Sequence, residues 1–391
     1  MKKFLALTLA LVMSLSLVAC GDKKTDDTKT DEPDQKTEQP AENEGAYKVA
    51  MITDYGDITD QSFNQTTYEA CKAFCEANKV DFNYFKPTGD SDPERVAQIE
   101  AAIDEGYNVI VMPGYLFAPA IAECQPLYPD VNFIALDVSE FDLTGAGLDL
   151  AAAPNLFSAV YQEELSGYMA GYAAVKMGYT HLGFLGGMAV PAVIRFGYGF
   201  VQGADAAAVE LGIADKVAVE YVYGNQFYGD ADITAYMDNW YQTMGVQVVF
   251  ACGGGIYTSA AEAAAKVEGG KVIGVDTDQS AIIDTYGEKM TLTSAMKGLA
   301  ATVNTLLAET VAGNFANYGG KIENLGLVSG TELETNYVGL PMESTQWNDT
   351  FTKDDYAKLV AGMVDGTITV SNATDKLPAV TIKVTEYGNV K

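Results

Sequence analysis

Within one short stretch the chain carries three carboxylates, two hydroxyls and an amide: Asp54, Asp57, Thr59, Asp60, Ser62 and Asn64. Such a set can hold a hard cation, cap a helix, or accept hydrogen bonds from a polar ligand. The spacing of Asp54, Asp57 and Asp60 lacks the EF-hand form of a calcium loop. Capping accounts for Asp60 but does not require an amide at Asn64, one turn in. A second polar set is Gly274-Val275-Asp276-Thr277-Asp278-Gln279, which follows a short β-branched run. Asp276 at a strand's carboxyl end is where an open α/β sheet places an acceptor for ribose hydroxyls; a turn carboxylate is the alternative. Lys297, after Thr293-Ser294-Ala295-Met296, falls in the first turn of an expected helix, where the helix dipole disfavours a cation.

Glycines and aromatics form the other recurrent pattern. Gly186-Gly187 ends an apolar run before Pro191, and Phe196-Gly197-Tyr198-Gly199-Phe200-Val201-Gln202-Gly203 follows. Its glycines mimic a dinucleotide fingerprint but lie inside an expected helix, which favours close helix packing. Arg195, one of few arginines, reads there as a surface partner for the excess acid. Gly224-Asn225-Gln226-Phe227-Tyr228 puts an aromatic pair on a strand-exit loop, as a stacking platform or a packed lid. Cys252-Gly253-Gly254-Gly255 could cradle a phosphate, yet no Lys-Ser/Thr follows it.

Enzyme chemistry finds little support. The sequence has no Gly-x-Ser-x-Gly elbow, no Walker loop and a single histidine, His181. A paired-carboxylate hydrolase would need two specific acids, and nothing singles out a pair. No enzyme activity, cofactor or metal is expected. The net charge of −29, from 53 acidic and 24 basic side chains, repels phosphate backbones and excludes nucleic acid as a partner. A neutral or cationic small ligand fits such a field better.

These residues need elements to hold them. Lys2-Lys3, the apolar run from Phe4 to Ser16 and Leu17-Val18-Ala19-Cys20 form a secretory signal with a lipobox. That predicts a signal peptide over 1–19, lipidation at Cys20 and a location on the extracytoplasmic face of the cell membrane. Residues 20–46 are Lys, Asp, Thr, Glu, Gln and Pro with almost no apolar side chain, the composition of a tether. Cys71 and Cys75 lie four residues apart on an expected helix and read as buried free thiols, not a disulfide scaffold.

From Lys48 onward short apolar strands alternate with helices, the pattern of parallel sheets covered on both faces. Strands are expected at 48–53, 80–85, 108–112 and 132–137. A long helix over 155–177 leads to strands at 181–185, 217–223, 247–252, 271–275 and 290–294. The length of 391 residues predicts two domains. The first lobe is expected over 47–150 with about 277–320, and the second over 151–276 with about 321–391. The fold class is α/β: two doubly wound parallel-sheet domains joined by a multi-strand hinge.

The chain resembles the BMP (basic membrane protein) family, lipoprotein substrate-binding components of ABC transporters that include purine nucleoside receptors. Carrying the resemblance are Asp60-Gln61-Ser62-Phe63-Asn64, Gly186 to Pro191 with Phe196, Gly199, Phe200 and Gly203, Gly274 to Gln279, and Thr293 to Lys297. The likeness implies a type I periplasmic-binding-protein fold closing on a nucleoside. By it, Asp60 and Asn64 meet the base, Phe227 and an aromatic near Phe196 stack on it, and Phe196 belongs to the ligand-binding set. Asp137 and Asp276 anchor the nucleoside, Asp276 at the ribose, and Lys297 is a further donor. Ser62, Phe63, Tyr68 and Gly254 complete the expected ligand-binding set. The implied partners are a nucleoside, an ABC permease and the lipid at Cys20, with the protein a monomer. Ile58-Thr59 and Gly224-Asn225-Gln226 depart from the family pattern beside the base pocket. A receptor for a sugar or other metabolite, or a ligand sensor for a membrane signalling partner, is the alternative.

Overall fold

The computed structural model describes residues 47–390. Cys20 and the segments expected as signal peptide and tether lie outside the described residues.

The first half begins with β1 (Lys48–Ile52), α1 (Phe63–Asn78), β2 (Asp81–Phe85) and α2 (Asp92–Asp104). It continues through β3 (Val109–Pro113), α3 (Ala118–Cys124), β4 (Asn132–Leu136), α4 (Glu140–Gly145) and β5 (Leu156–Tyr161). Then α5 (Glu163–Lys176), β6 (His181–Gly186), α6 (Pro191–Glu210), β7 (Ala218–Tyr223) and α7 (Ala231–Asp238) follow. Next come β8 (Val248–Cys252), α8 (Tyr257–Ala264), β9 (Lys271–Asp276), α9 (Ser280–Ile283) and β10 (Thr291–Lys297). The chain ends through α10 (Leu299–Val311), β11 (Lys321–Leu325), β12 (Val338–Gly339), α11 (Lys353–Val364) and β13 (Lys383–Asn389).

The strands form a six-stranded sheet, β11-β5-β4-β3-β1-β2, and a seven-stranded sheet, β12-β10-β9-β8-β6-β7-β13. Every pairing is parallel except β10 with β12. The order β2-β1-β3-β4-β5 recurs as β7-β6-β8-β9-β10, so each lobe is doubly wound in the same way. The central strands are wholly buried, as strands covered on both faces must be: Val109–Pro113 and Val248–Cys252 expose nothing appreciable. This is the expected type I periplasmic-binding-protein architecture.

The expected helix over 155–177 is instead two elements. Leu156–Tyr161 is strand β5, and only Glu163–Lys176 is helical. Its apolar run suits either element by periodicity, and pairing with β4 and the remote β11 decides for a strand. The lobe boundaries shift with it. β5 and β11, expected in the second lobe, belong to the first sheet, while β10, expected in the first lobe, belongs to the second sheet. From 277–320, α10 and the turn around Phe315 and Tyr318 serve the first lobe, where Leu299, Val303, Leu307 and Phe315 share a core with Cys71 and Cys75 on α1. All four cysteines among the described residues are buried free thiols.

The chain therefore crosses between sheets after β5, after β10 and after β11, and the crossings are tied together. Gln162 N–H donates to Leu325 O (3.0 Å), Gly298 N–H to Tyr337 O (2.6 Å) and Tyr337 N–H to Gly326 O (2.9 Å). Helices α5 and α6 interlock as the glycine spacing predicts. A Cβ on Gly167 or Gly171 would lie 2.1 or 2.0 Å from the carbonyl oxygen of Phe196 or Phe200. One on Gly199 or Gly203 would meet Glu164 O at 2.1 Å or Tyr168 O at 1.9 Å, so any larger residue would force the helices apart.

Candidate functional site

Both sheets point their strand carboxyl ends at one cavity of about 530 Å³. Open α/β sheets bind ligands at such ends because loops there are free of the ladder and helix N-termini offer unpaired N–H groups. The first lobe contributes the β1–α1 loop, Gly114 and Tyr115 after β3, and Asp137, Ser139 and Asp142 after β4. The second contributes the start of α6, Phe227 and Tyr228 after β7, Cys252–Gly255 after β8, Asp276 and Lys297.

The three carboxylates of the β1–α1 loop hold three separate turns. Asp54 Oδ1 accepts from the N–H groups of Tyr55 and Gly56, both at 2.7 Å. Asp57 takes Thr59 and the Lys86 ammonium (2.9 Å). Asp60 accepts from the N–H groups of Ser62, Asn64 and Gln65 and from Asn64 Nδ2. That bond turns the Asn64 Nδ2 toward Asp60 and leaves Oδ1 buried without a hydrogen-bond partner in a residue that lines the cavity. Burial holds the Asp54 and Asp60 carboxyls above the usual carboxylate range, against their backbone hydrogen bonds.

At the hinge end lies a buried charge cluster. Lys297 Nζ is 2.6 Å from Asp137 Oδ2 and 3.0 Å from Glu163 Oε1, and Arg195 Nε donates to Glu163 Oε2 at 2.6 Å. Burial pulls the Lys297 ammonium down, but the Asp137 and Glu163 carboxylates outweigh it and hold the group above its ordinary value. Glu163 is buried too, yet Lys297 and Arg195 hold it below the usual range. Burial raises Asp137 despite Lys297, and Asp137 Oδ1 has no hydrogen-bond partner. Asp276 is pushed up to about 6 by burial, opposed by Lys297 and by the Ser62 hydroxyl, which donates to its Oδ2 at 2.6 Å. A buried polar atom without a partner costs roughly 1–3 kcal/mol, so unmet acceptors beside a cavity favour a ligand bearing hydroxyl or amino donors.

The apolar wall is built from glycine. Phe227 rests on Gly187 and Gly253, where added Cβ atoms would come within 2.4 and 2.7 Å of its ring. Gly255 N–H donates to Phe227 O at 2.8 Å, fixing the backbone of the loop that carries it. Phe196 is 2% exposed, with its edge on Phe250 and Lys297 Nζ 5.7 Å from its ring centre.

Of the expected ligand-binding residues, Asp60, Phe63, Asn64, Asp137, Phe196, Phe227, Gly254, Asp276 and Lys297 line the cavity. Ser62 does not line it and reaches it only through Asp276. Tyr68 stands a full helical turn beyond Asn64, and its ring packs on Phe82 and Tyr84 of β2 instead. Lys297 closes strand β10 and is not in a helix; α10 begins at Leu299. Arg195 is no surface partner, since its side chain is only one-fifth exposed and is paired to the fully buried Glu163. Glu163 carries no mark in the sequence, because it falls inside the helix expected over 155–177, whereas it opens α5 at the end of β5. Tyr55 and Tyr115 also line the cavity, and only their position after strands β1 and β3 hinted at it.

Residues 47–366 match the family described as ABC transporter substrate-binding protein PnrA-like. The chain belongs to this Bmp family of substrate-binding proteins. It is 28% identical over 391 residues to a CD4+ T-cell-stimulating antigen of Listeria innocua, covering 94% of this chain and 98% of the relative. It is 27% identical to the ABC transporter nucleoside-binding protein BmpA of Lactococcus lactis subsp. cremoris, covering 83% and 88%. The fold matches an ABC transporter solute-binding protein from Conexibacter woesei, with TM-score 0.63, 22% identity and coverage of 84% and 99%. As a Bmp protein it has a ligand and a membrane permease as partners, and binding rather than turnover is the family's role. Among the described residues no helix is long and apolar enough to cross a membrane.

Proposed function

We propose that this Bmp protein captures a nucleoside, purine favoured, between its lobes and presents it to an ABC permease without chemical change. In this reading it is a monomer held at the outer face of the membrane by lipid on Cys20. The observation that carries the reading is one cavity with two chemistries: the Phe227 ring on its glycine seat, and the Asp137, Asp276 and Lys297 cluster at the hinge. A flat base suits the ring and a ribose suits the carboxylates. The nucleoside-binding Lactococcus relative supports this. Stacking contributes about 1–3 kcal/mol per base, and each hydrogen bond to a charged group about 1.5–3 kcal/mol. A stack and two or three such bonds sum to roughly 4–12 kcal/mol, and the upper end, less about 4 kcal/mol of association cost, corresponds to micromolar binding at about −8 kcal/mol.

The test is direct. Protein purified without added ligand is denatured, and released ultraviolet-absorbing material is identified by mass spectrometry, followed by titration calorimetry with purine and pyrimidine nucleosides. Heat with a nucleoside and none with free ribose is expected. Heat with a pentose and none with any nucleoside overturns the base-stacking assignment and favours a sugar receptor.

A further inference from the structure

The β9–α9 turn carries a residue that does not line the cavity yet spans the lobes. Gln279 is 1% exposed and held at three points. Its own N–H donates to Ser294 Oγ (3.1 Å), its Oε1 accepts from Val275 N–H (2.9 Å), and its Nε2 donates to Gln61 O in the first lobe (2.9 Å). Gly274 makes the space, since a Cβ there would lie 2.8 Å from Gln279 Oε1. The recipient segment is unusual as well. Gln61 has φ 55° and Asp276, opposite, has φ 65°, both in the left-handed region that costs a non-glycine residue about 1–3 kcal/mol. Next to Gln61, Ser62 Oγ donates to Asp276 Oδ2, so the 61–62 segment is gripped twice from the 276–279 turn. On the near side of the same segment is the Asp60 cap, which orients Asn64.

We infer that Gln279 is a positioning residue for ligand binding, a clasp that draws the first-lobe rim onto the second and sets how long the closed cleft persists. The inference rests on the nucleoside reading only for its choice of probe. A rigid donor, prepaid by its two bonds within its own lobe, loses no rotamer freedom when the lobes meet, so the Gln61 bond adds to closure. Gln61 and Ser62 present a carbonyl and a hydroxyl, which is why two side chains of the turn, an amide and a carboxylate, match them. The cavity-lining residues Asp60, Asn64 and Asp276 flank this seam, so a looser seam frees whatever the cavity holds faster.

Gln279→Glu tests it most sharply, because a carboxylate keeps the acceptor for Val275 N–H and loses the donor to Gln61. Gln279→Met, which removes both, is the companion. Stopped-flow binding of adenosine or guanosine, whichever the wild type holds, should show dissociation at least about fivefold faster with association within about twofold. Without ligand, backbone hydrogen exchange of residues 61–66 should rise about tenfold in Gln279→Glu, with α6 unchanged. A merely structural role would lower the melting temperature and leave dissociation alone. Folded Gln279→Glu with unchanged dissociation and unchanged exchange at 61–66 overturns the clasp. If the wild type binds no nucleoside, that reading fails by itself, and the exchange result alone decides the clasp.

Discussion

At the exits of β3 and β8 the two lobes turn through Gly114 (φ 125°) and Gly253 (φ 131°), and at the exits of β4 and β9 through Asp137 (φ 62°) and Asp276 (φ 65°). Equivalent strands thus release the chain by the same backbone route. What the routes carry differs. A Cβ on Gly114 would meet Asp54, whereas one on Gly253 would meet the Phe227 ring. The first-lobe rim is polar, with its carboxylates bonded to nearby N–H groups; the second-lobe rim is glycine supporting an aromatic. Duplicated topology gives two similar mouths, and the side chains divide the labour between a hydrogen-bonding edge and a flat surface. Lys297, at the end of β10, belongs to the second sheet but pairs with Asp137 of the first, so these charges meet where the lobes do.

The largest expected effect breaks the symmetry of the two left-handed aspartates. Asp276→Asn should lower nucleoside affinity at least about tenfold by calorimetry, since it removes a charged acceptor. The same change should raise the melting temperature at neutral pH. The sign follows from the carboxyl being pushed up to about 6 in the fold, above the unfolded value of about 3.9. The folded state binds that proton more tightly, so the charged group weakens the fold progressively as pH rises from about 4 to 6, and Asn relieves the penalty. Unchanged affinity would remove Asp276 from the site.

Next in size is the paired glycine test. Gly253→Ala and Gly114→Ala both place a side chain at positive φ and should each cost roughly 1–3 kcal/mol of stability. Only Gly253→Ala also strikes Phe227, so only it should match Phe227→Ala in lowering affinity about tenfold, worth about 1.4 kcal/mol. Equal affinity losses from both glycine variants would show that backbone strain, not the aromatic seat, governs binding.

A smaller, graded effect is expected from pH. Wild-type affinity should fall as pH drops through about 6, where Asp276 takes up its proton, and Asp276→Asn should flatten the profile. A flat wild-type profile between pH 5 and about 7 would assign the ribose contact elsewhere. Smallest are two first-lobe changes. Asp60→Ala should cost about 0.5–2 kcal/mol of stability through the lost cap, measured by urea unfolding, with a lesser loss of affinity. Tyr68→Phe should alter neither, because its ring packs on Phe82 and Tyr84.

Much of this is legible in the sequence. Apolar β-branched runs between amphipathic stretches marked nine of the strands, and the positions just after them held most of the cavity-lining residues. Where the local sequence misleads, the deciding partner is remote. Leu156–Tyr161 carries no local mark that distinguishes a buried strand from a buried helix, and β11 lies more than a hundred and fifty residues away. Arg195 looks like a surface charge until Glu163 is found beneath it. Tyr68 sits at helical spacing from Asn64, but the axis has already carried it out of the mouth.

The sequence by itself determined the α/β class, the strand-exit loops, the close-packing glycines of α6, and the chemical types at the rim. Those follow from periodicity and backbone sterics, which act over a few residues. Only the tertiary structure decided which strands share a sheet, that Phe227 sits on Gly187 and Gly253, that Lys297 joins Asp137 and Glu163, and that Gln279 reaches Gln61. Each of those is a contact between segments far apart in the chain. Their energies come from burial and from charges brought out of water, conditions that no local stretch of sequence contains.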